Sequence, residues 1–285
     1  VEQEVLMDRF FQWMLSLSLL GSNLTVFSQA PSAIQTSSTP TPTACTESKG
    51  TITKFHFDST VLHKPFYYRV YTPPCYDDSA IGRYPVLYIL HGSSYNDDQW
   101  DRLGLDEAAD FLITSTEIAP LIIVMPQETA YNEDTHNAKY GQALLTELIP
   151  AVEKAFPGAS KERGQRAIGG LSRGAGWAMH LGLANPDLFV SIGAHSLAVF
   201  PGDYFLVPQW RKKTAEAELP RIYIDEGLTD PYKDSSRTFE TRLSSYSYPH
   251  EWHLNEGSHT ETYWQFHVKD YLMWYDQGWT ADKQE

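Results

Sequence analysis

Arg166-Ala167-Ile168-Gly169-Gly170-Leu171-Ser172-Arg173-Gly174-Ala175-Gly176-Trp177-Ala178-Met179 is the stretch on which the reading of this chain turns. Its first half is a short apolar run of the kind expected of a strand buried on both faces. Its second half is rich in small residues, as suits a closely packed helix. Between them, Gly170-Leu171-Ser172-Arg173-Gly174 sets a serine on a tight strand-to-helix turn, with glycines where a side chain would block the close approach the turn needs. The pattern is weakly specific by itself, and the strand before it and the helix after it give it meaning.

The flanking sequence has matching character. Residues 51–57 and 66–72 alternate as antiparallel strands do, whereas 85–90, 120–125 and 219–225 are near-continuous apolar runs like the strand before Ser172. Helical spacing occupies 105–115, 143–156, 174–184 and 235–245. Strands alternating with helices predict an α/β domain with a mainly parallel central sheet and helices on both faces. Near the C-terminus, Ser258-His259-Thr260-Glu261 has the capping-box pattern, and Trp264, Val268, Tyr271, Leu272 and Tyr275 follow at helical spacing. No internal repeat interrupts the domain, predicted to span 51–285.

A serine hydroxyl is a weak nucleophile and needs a base, itself oriented by an acid. On an α/β-hydrolase sheet these follow the serine in the order acid, then histidine. Asp230, in Glu226-Gly227-Leu228-Thr229-Asp230-Pro231, lies on the loop leaving a predicted strand and is the expected acid. Asp225 and Glu226 compete for the role but fall within or at the end of the strand. His259 is the expected base; His195 precedes the acid and breaks the order, and His250, His253 and His267 fall in or beside regular elements. Developing negative charge on the substrate oxygen requires backbone donors. One is expected from Arg173, the other from Gly92 or Ser93 in His91-Gly92-Ser93-Ser94, with Ser93 slightly preferred. His91 is expected to serve as a structural hydrogen-bonding residue.

The N-terminal part reads differently. Met7 and Arg9 lead into the apolar run 10–20, and Ser28-Gln29-Ala30 offers small residues where a signal peptidase inspects, so 1–30 is expected to be an export signal with an upstream extension. Gly21-Ser22-Asn23 breaks the run short of the roughly 20 apolar residues a membrane span needs. Residues 31–50 form a Ser/Thr/Pro-rich tract, expected to be a flexible linker. The chain has two cysteines, Cys45 and Cys75, and in an exported protein an even count invites one disulfide, two free thiols being the alternative. The expected location is secreted or periplasmic, with no membrane association once the signal is cleaved. A net charge of −14, from 22 basic and 36 acidic residues, argues against nucleic acid as a partner.

Leu90-His91-Gly92 with Trp100 beyond it, Glu147-Leu148-Ile149-Pro150, Gly169 to Gly174, Gly227-x-x-Asp230 and Gly257-x-His259 together resemble the esterase family of α/β-hydrolases. That family includes esterase D (S-formylglutathione hydrolase), the feruloyl and acetylxylan esterases of carbohydrate esterase family 1, enterochelin esterases and mycolyltransferases. The resemblance covers roughly residues 51–279. It implies a cofactor-free serine esterase working through an acyl-enzyme, with Ser172, Asp230 and His259 as its triad. Cys75 stands where such chains often have glycine.

A metal hydrolase is disfavoured, because the sequence has no H-E-x-x-H or paired C-x-x-C spacing. A noncatalytic binding module is disfavoured because each position of the catalytic motif is filled. Candidate substrate-pocket residues are Tyr95, Trp100, Glu128, Tyr131, Trp177 and Trp264, with core packing as the competing reading for the three tryptophans. The expected substrates are short acyl esters, feruloyl or acetyl esters of plant polysaccharide in particular. Siderophore esters, polyesters and acyl transfer to an alcohol are the alternatives, and the sequence does not fix the oligomeric state.

Overall fold

A computed structural model describes residues 45–129, 131, 135 and 139–281. The expected export signal and all but the last residues of the Ser/Thr/Pro tract lie outside the described residues. The strands are β1 (Thr51–Ser59), β2 (Lys64–Thr72), β3 (Val86–Leu90), β4 (Ile122–Pro126), β5 (Arg166–Leu171), β6 (Ser191–His195), β7 (Arg221–Gly227) and β8 (Glu251–Asn255). They form one sheet in the order β1-β2-β4-β3-β5-β6-β7-β8. β1 pairs antiparallel with β2, and β2 antiparallel with β4; the other pairings are parallel. This is the α/β-hydrolase arrangement expected from the sequence.

The apolar runs became central strands because both of their faces are covered. In β3, Val86, Tyr88 and Leu90 join one core with Ile168, Ala175 and Trp177. Leu87 and Ile89 join a second core with Trp100, Leu112, Tyr271 and Tyr275. Side chains of a strand alternate between faces, so one continuous apolar run feeds two cores. The helices α1 (Gln99–Arg102), α2 (Leu105–Thr114), α5 (Arg173–Ala184), α6 (Asp203–Lys213), α7 (Lys233–Ser245) and α8 (Glu261–Ala281) complete the layers, together with α3 and α4 described next. β6 and the first part of α6 lie between α5 and Trp210. No helix among the described residues is long and apolar enough to cross a membrane.

The continuous helix expected over 143–156 is instead α3 (Lys139–Ala143), a π turn at Leu144–Leu148, and α4 (Ile149–Ala155). Pro150 lacks an N–H and clashes with the preceding turn, and widening that turn accommodates it. Glu147, in the π turn, receives Thr60 N–H at 2.9 Å, Val61 N–H at 3.2 Å and the hydroxyls of Ser59 and Thr60, which anchors the β1–β2 hairpin. At the N-terminal margin, Cys45 is disulfide-bonded to Cys75. The Cys75 amide donates to Glu47 at 2.7 Å and Gly50 N–H to Asp110 at 2.7 Å, so contacts with the domain begin ahead of β1. The helix after His259 also starts later than the capping-box pattern suggests: α8 begins at Glu261, Thr260 takes the capping position with its hydroxyl 3.4 Å from Tyr263 N, and the Ser258 hydroxyl turns to the Thr229 carbonyl.

Candidate active site

Ser172 sits between β5 and α5 with φ +55° and ψ −119°, a conformation that costs a residue with a side chain about 1–3 kcal/mol. The surroundings hold it there: its N–H donates to the His195 carbonyl at 2.9 Å, and its carbonyl accepts from Gly176 N–H at 3.1 Å. The flanking glycines are required by space. A Cβ on Gly174 would lie 2.3 Å from the Leu90 carbonyl oxygen, and one on Gly170 would lie 2.5 Å from the Gly174 backbone.

The loop after β7 carries Asp230 and the loop before α8 carries His259, and the structure brings both to Ser172. His259 Nε2 is 2.8 Å from Ser172 Oγ, and Nδ1 is 2.9 Å from Asp230 Oδ2. Burial pushes the Asp230 carboxyl up, but bonds from His259 and from the Tyr232 amide, the latter at 2.8 Å, outweigh it and leave the carboxyl below its ordinary range. An ionised Asp230 accepts from Nδ1–H, which leaves Nε2 free to accept the serine proton. Trp264 stands edge-on to the imidazole with ring centres 5.0 Å apart, while Tyr232 tilts over it at 4.9 Å. Trp264 Nε1 donates to Ser196 Oγ at 3.0 Å, and that hydroxyl also supports Asp230. Tyr232 and Ser196 carried no motif in the sequence; their closeness to Asp230 and to the strand ends was the only available signal.

The loop after β3 faces the same serine. A Cβ on Gly92 would meet Leu171 at 2.9 Å and Ser172 Cβ at 3.5 Å. The Gly92 amide, one of the two expected oxyanion donors on this loop, is already bonded to Gln99 Oε1 at 2.8 Å. Among the described residues, the Ser93 and Arg173 amides have no protein acceptor. His91 donates from Nδ1 to the Gly92 carbonyl at 2.7 Å and accepts Glu128 N–H at Nε2, 2.9 Å. Burial holds its pKa down, in keeping with a neutral, structural ring.

Residues 59–275 match the family model described as "Putative esterase". The chain belongs to this esterase family. An endo-1,4-beta-xylanase/feruloyl esterase from Xylanibacter ruminicola is 34% identical over 137 residues, covering 42% of this chain and 18% of that protein. The chain spans 18% and 30% of the lengths of the curated relatives it matches. Among solved structures, a ferulic acid esterase is 25% identical with a TM-score of 0.71, covering 81% of this chain and 99% of that one. A mutant of the feruloyl esterase module from Clostridium thermocellum, complexed with sinapinate, shares the fold at 19% identity and a TM-score of 0.68, covering 80% and 88%.

In this chain a cleft of about 470 Å³ opens over Ser172, lined by Gly92, Ser93, Tyr95, Leu171, Tyr232, His259, Thr260, Glu261 and Trp264. Two of the expected pocket residues, Tyr95 and Trp264, therefore line it. The other four do not. Trp100 and Trp177 are each 1% exposed and pack the two cores, with Trp100 Nε1 donating to the Leu90 carbonyl at 2.9 Å. The Glu128 carboxylate is taken up by a bidentate bond with the Arg173 guanidinium, at 2.9 and 2.7 Å. The Tyr131 hydroxyl donates to the Tyr95 carbonyl and so braces that loop. His195 is also fully buried, bonded to Asp225 at 2.7 Å.

Proposed function

We propose that the chain hydrolyses carboxylic esters through an acyl-enzyme on Ser172. The observation that carries this reading is the hydrogen-bonded chain from Ser172 through His259 to Asp230, opening on a cleft that Ser172, Ser93 and His259 line together. Ser172 Oγ attacks the acyl carbon as its proton passes to His259 Nε2. The carbonyl oxygen takes up the electron pair and is stabilised by the Ser93 and Arg173 amides. Collapse expels the alcohol, which leaves with the proton from His259, and the acyl group remains on Ser172. Water, losing its proton to the same nitrogen, attacks the acyl-serine; the acyl–Oγ bond breaks, that proton passes from His259 to Ser172 Oγ, and the acid is released.

The proposed substrates are short acyl esters of plant polysaccharide, feruloyl esters foremost. Tyr95, Tyr232 and Trp264 give the cleft aromatic walls suited to a flat acyl group. The relative carrying xylanase and feruloyl esterase names supports the same choice. The Cys45–Cys75 disulfide supports an oxidising, extracytoplasmic location, consistent with residues 1–30 acting as an export signal and 31–50 as a spacer.

Ser172→Ala is expected to abolish ester hydrolysis and fluorophosphonate labelling while leaving the thermal transition in place. Near-normal turnover by that variant would remove the assignment. A parallel assay of methyl ferulate, acetylated xylan, a ferric catecholate triester, polyester film and long-chain triglyceride tests the substrate. The highest kcat/KM is expected for the feruloyl or acetyl ester, and a triglyceride preference would overturn that choice.

A further inference from the structure

We propose that Gln99 is a positioning residue, whose carboxamide fixes the oxyanion-binding loop and ties it to the segment carrying the catalytic histidine. This rests on the reading of Ser172, Ser93 and Arg173 given above. Gln99 is fully buried at the start of α1. Its Oε1 accepts the Gly92 N–H at 2.8 Å, and its Nε2 donates to Glu261 Oε1 at 3.2 Å. One partner offers a proton and the other a carboxylate, so only a neutral group with an acceptor at one end and a donor at the other joins them.

The geometry explains why this grip matters for the next residue. In a trans peptide the carbonyl and the following N–H point in opposite directions. The Gly92 carbonyl is held by His91 Nδ1 at 2.7 Å and faces Tyr95 N–H at 3.4 Å, so the Ser93 N–H of the same peptide plane is directed away from them. Gln99 holds the other end of Gly92, at its nitrogen. A glycine restrained at only one end would turn about φ and carry the Ser93 amide with it. At its far end Gln99 meets Glu261, two residues beyond His259 at the start of α8, and Arg102 clamps that carboxylate at 3.2 and 3.3 Å. The bridge Gly92–Gln99–Glu261 therefore joins two residues that line the cleft and links the loop that stabilises charge to the segment that moves the proton.

The test exchanges the two functional groups. Gln99→Leu removes both bonds and is expected to lower kcat about 10- to 100-fold with KM nearly unchanged, since small misplacement of a transition-state donor costs rate. The second-order rate of fluorophosphonate labelling at Ser172 should fall in parallel, because the phosphonyl oxygen uses the same amides. The pH profile of kcat/KM should keep its shape, because the His259–Asp230 pair is untouched. Gln99→Glu sets two carboxylates face to face and should be similarly impaired. Adding Glu261→Gln to it restores one donor and one acceptor in mirror order, and should bring kcat back to within about fivefold of the parent. Gln99→Leu at parental kcat, or a double variant no better than Gln99→Glu, overturns the proposal. Should Gln99→Leu not fold, the exchange pair decides. Absence of labelling at Ser172 in the parent protein would instead refute the underlying reading.

Discussion

Adjacent carboxylates in one strand have different roles here. Asp225 projects to the face covered by α8, where it bonds His195 and accepts from the Tyr263 and Tyr271 hydroxyls at 2.6 and 2.8 Å. Glu226, one residue on, projects to the opposite face and accepts the Leu197 amide at 2.8 Å. Asp230→Asn is accordingly expected to cut kcat by several orders of magnitude with little change in Tm. Asp225→Asn is expected to lower Tm and spare most of kcat per folded molecule. Measuring both quantities on both variants checks the pair, and a crippled kcat in a stable Asp225→Asn protein would reverse the roles. Burial, reinforced by the Asp230 and Asp225 charges, raises the Glu226 carboxyl from its ordinary 4.5 to about 8. The folded state therefore holds this proton more tightly than the unfolded one. The associated stability is fully present below about pH 4.5 and is lost as pH rises toward 8, by at most about 1.4 kcal/mol per pH unit. Glu226→Gln keeps the Leu197 bond and removes the titration, so its gain in Tm should be larger at pH 8 than at pH 5; parallel Tm–pH curves for variant and parent would reject this. That Asp230 and His259 would meet at Ser172 was legible because motif and chain order single the three out. The roles of Asp225, Glu226, Gln99 and Glu128 were not, since each depends on which partner the fold brings opposite a polar side chain, and neither spacing nor composition encodes that.

At the level of elements, the apolar runs located β3, β4, β5 and β7 to within two residues, because strands buried on both faces leave an unambiguous signature. The π turn was hidden: the helical segments on either side of it have ordinary helical spacing, and only Pro150 hints at the break. α1 was too short for any period to show. The pocket tryptophans were ambiguous for a related reason, as a large aromatic beside a motif serves core and cleft equally well, and Trp100 and Trp177 went to the core. The disulfide joins residues 30 apart and ties the segment ahead of β1 to the loop after β2. On the chain-entropy account, closing a loop of that length stabilises the domain by about 3–4 kcal/mol. Mild reduction is therefore expected to lower Tm by several degrees while leaving kcat unchanged, since neither cysteine lines the cleft over Ser172. Parallel scanning calorimetry and ester assay with and without reductant measure this, and a loss of activity well below the reduced Tm would refute it.

For the molecule as a whole, the net charge of −14 bears on which esters arrive at the cleft. A neutral feruloyl or acetyl ester should show a kcat/KM independent of ionic strength, whereas an otherwise similar ester bearing a free carboxylate should gain as salt screens the repulsion. Stopped-assay rates from about 10 to 500 mM salt would test this, and a carboxylated ester that slows with salt would show that the cleft gathers anions. The architecture also orders events during biosynthesis. Ser172 and His259 are separated by 87 positions, and between them lie β6, β7 and β8 on the far side of the sheet from the N-terminal hairpin. On the proposed assignment, a ribosome makes the nucleophile 87 residues before its proton acceptor. On that assignment, a chain in which the His259 segment has not docked on Ser172 lacks the base its serine needs, so reactivity depends on residues far apart in sequence coming together.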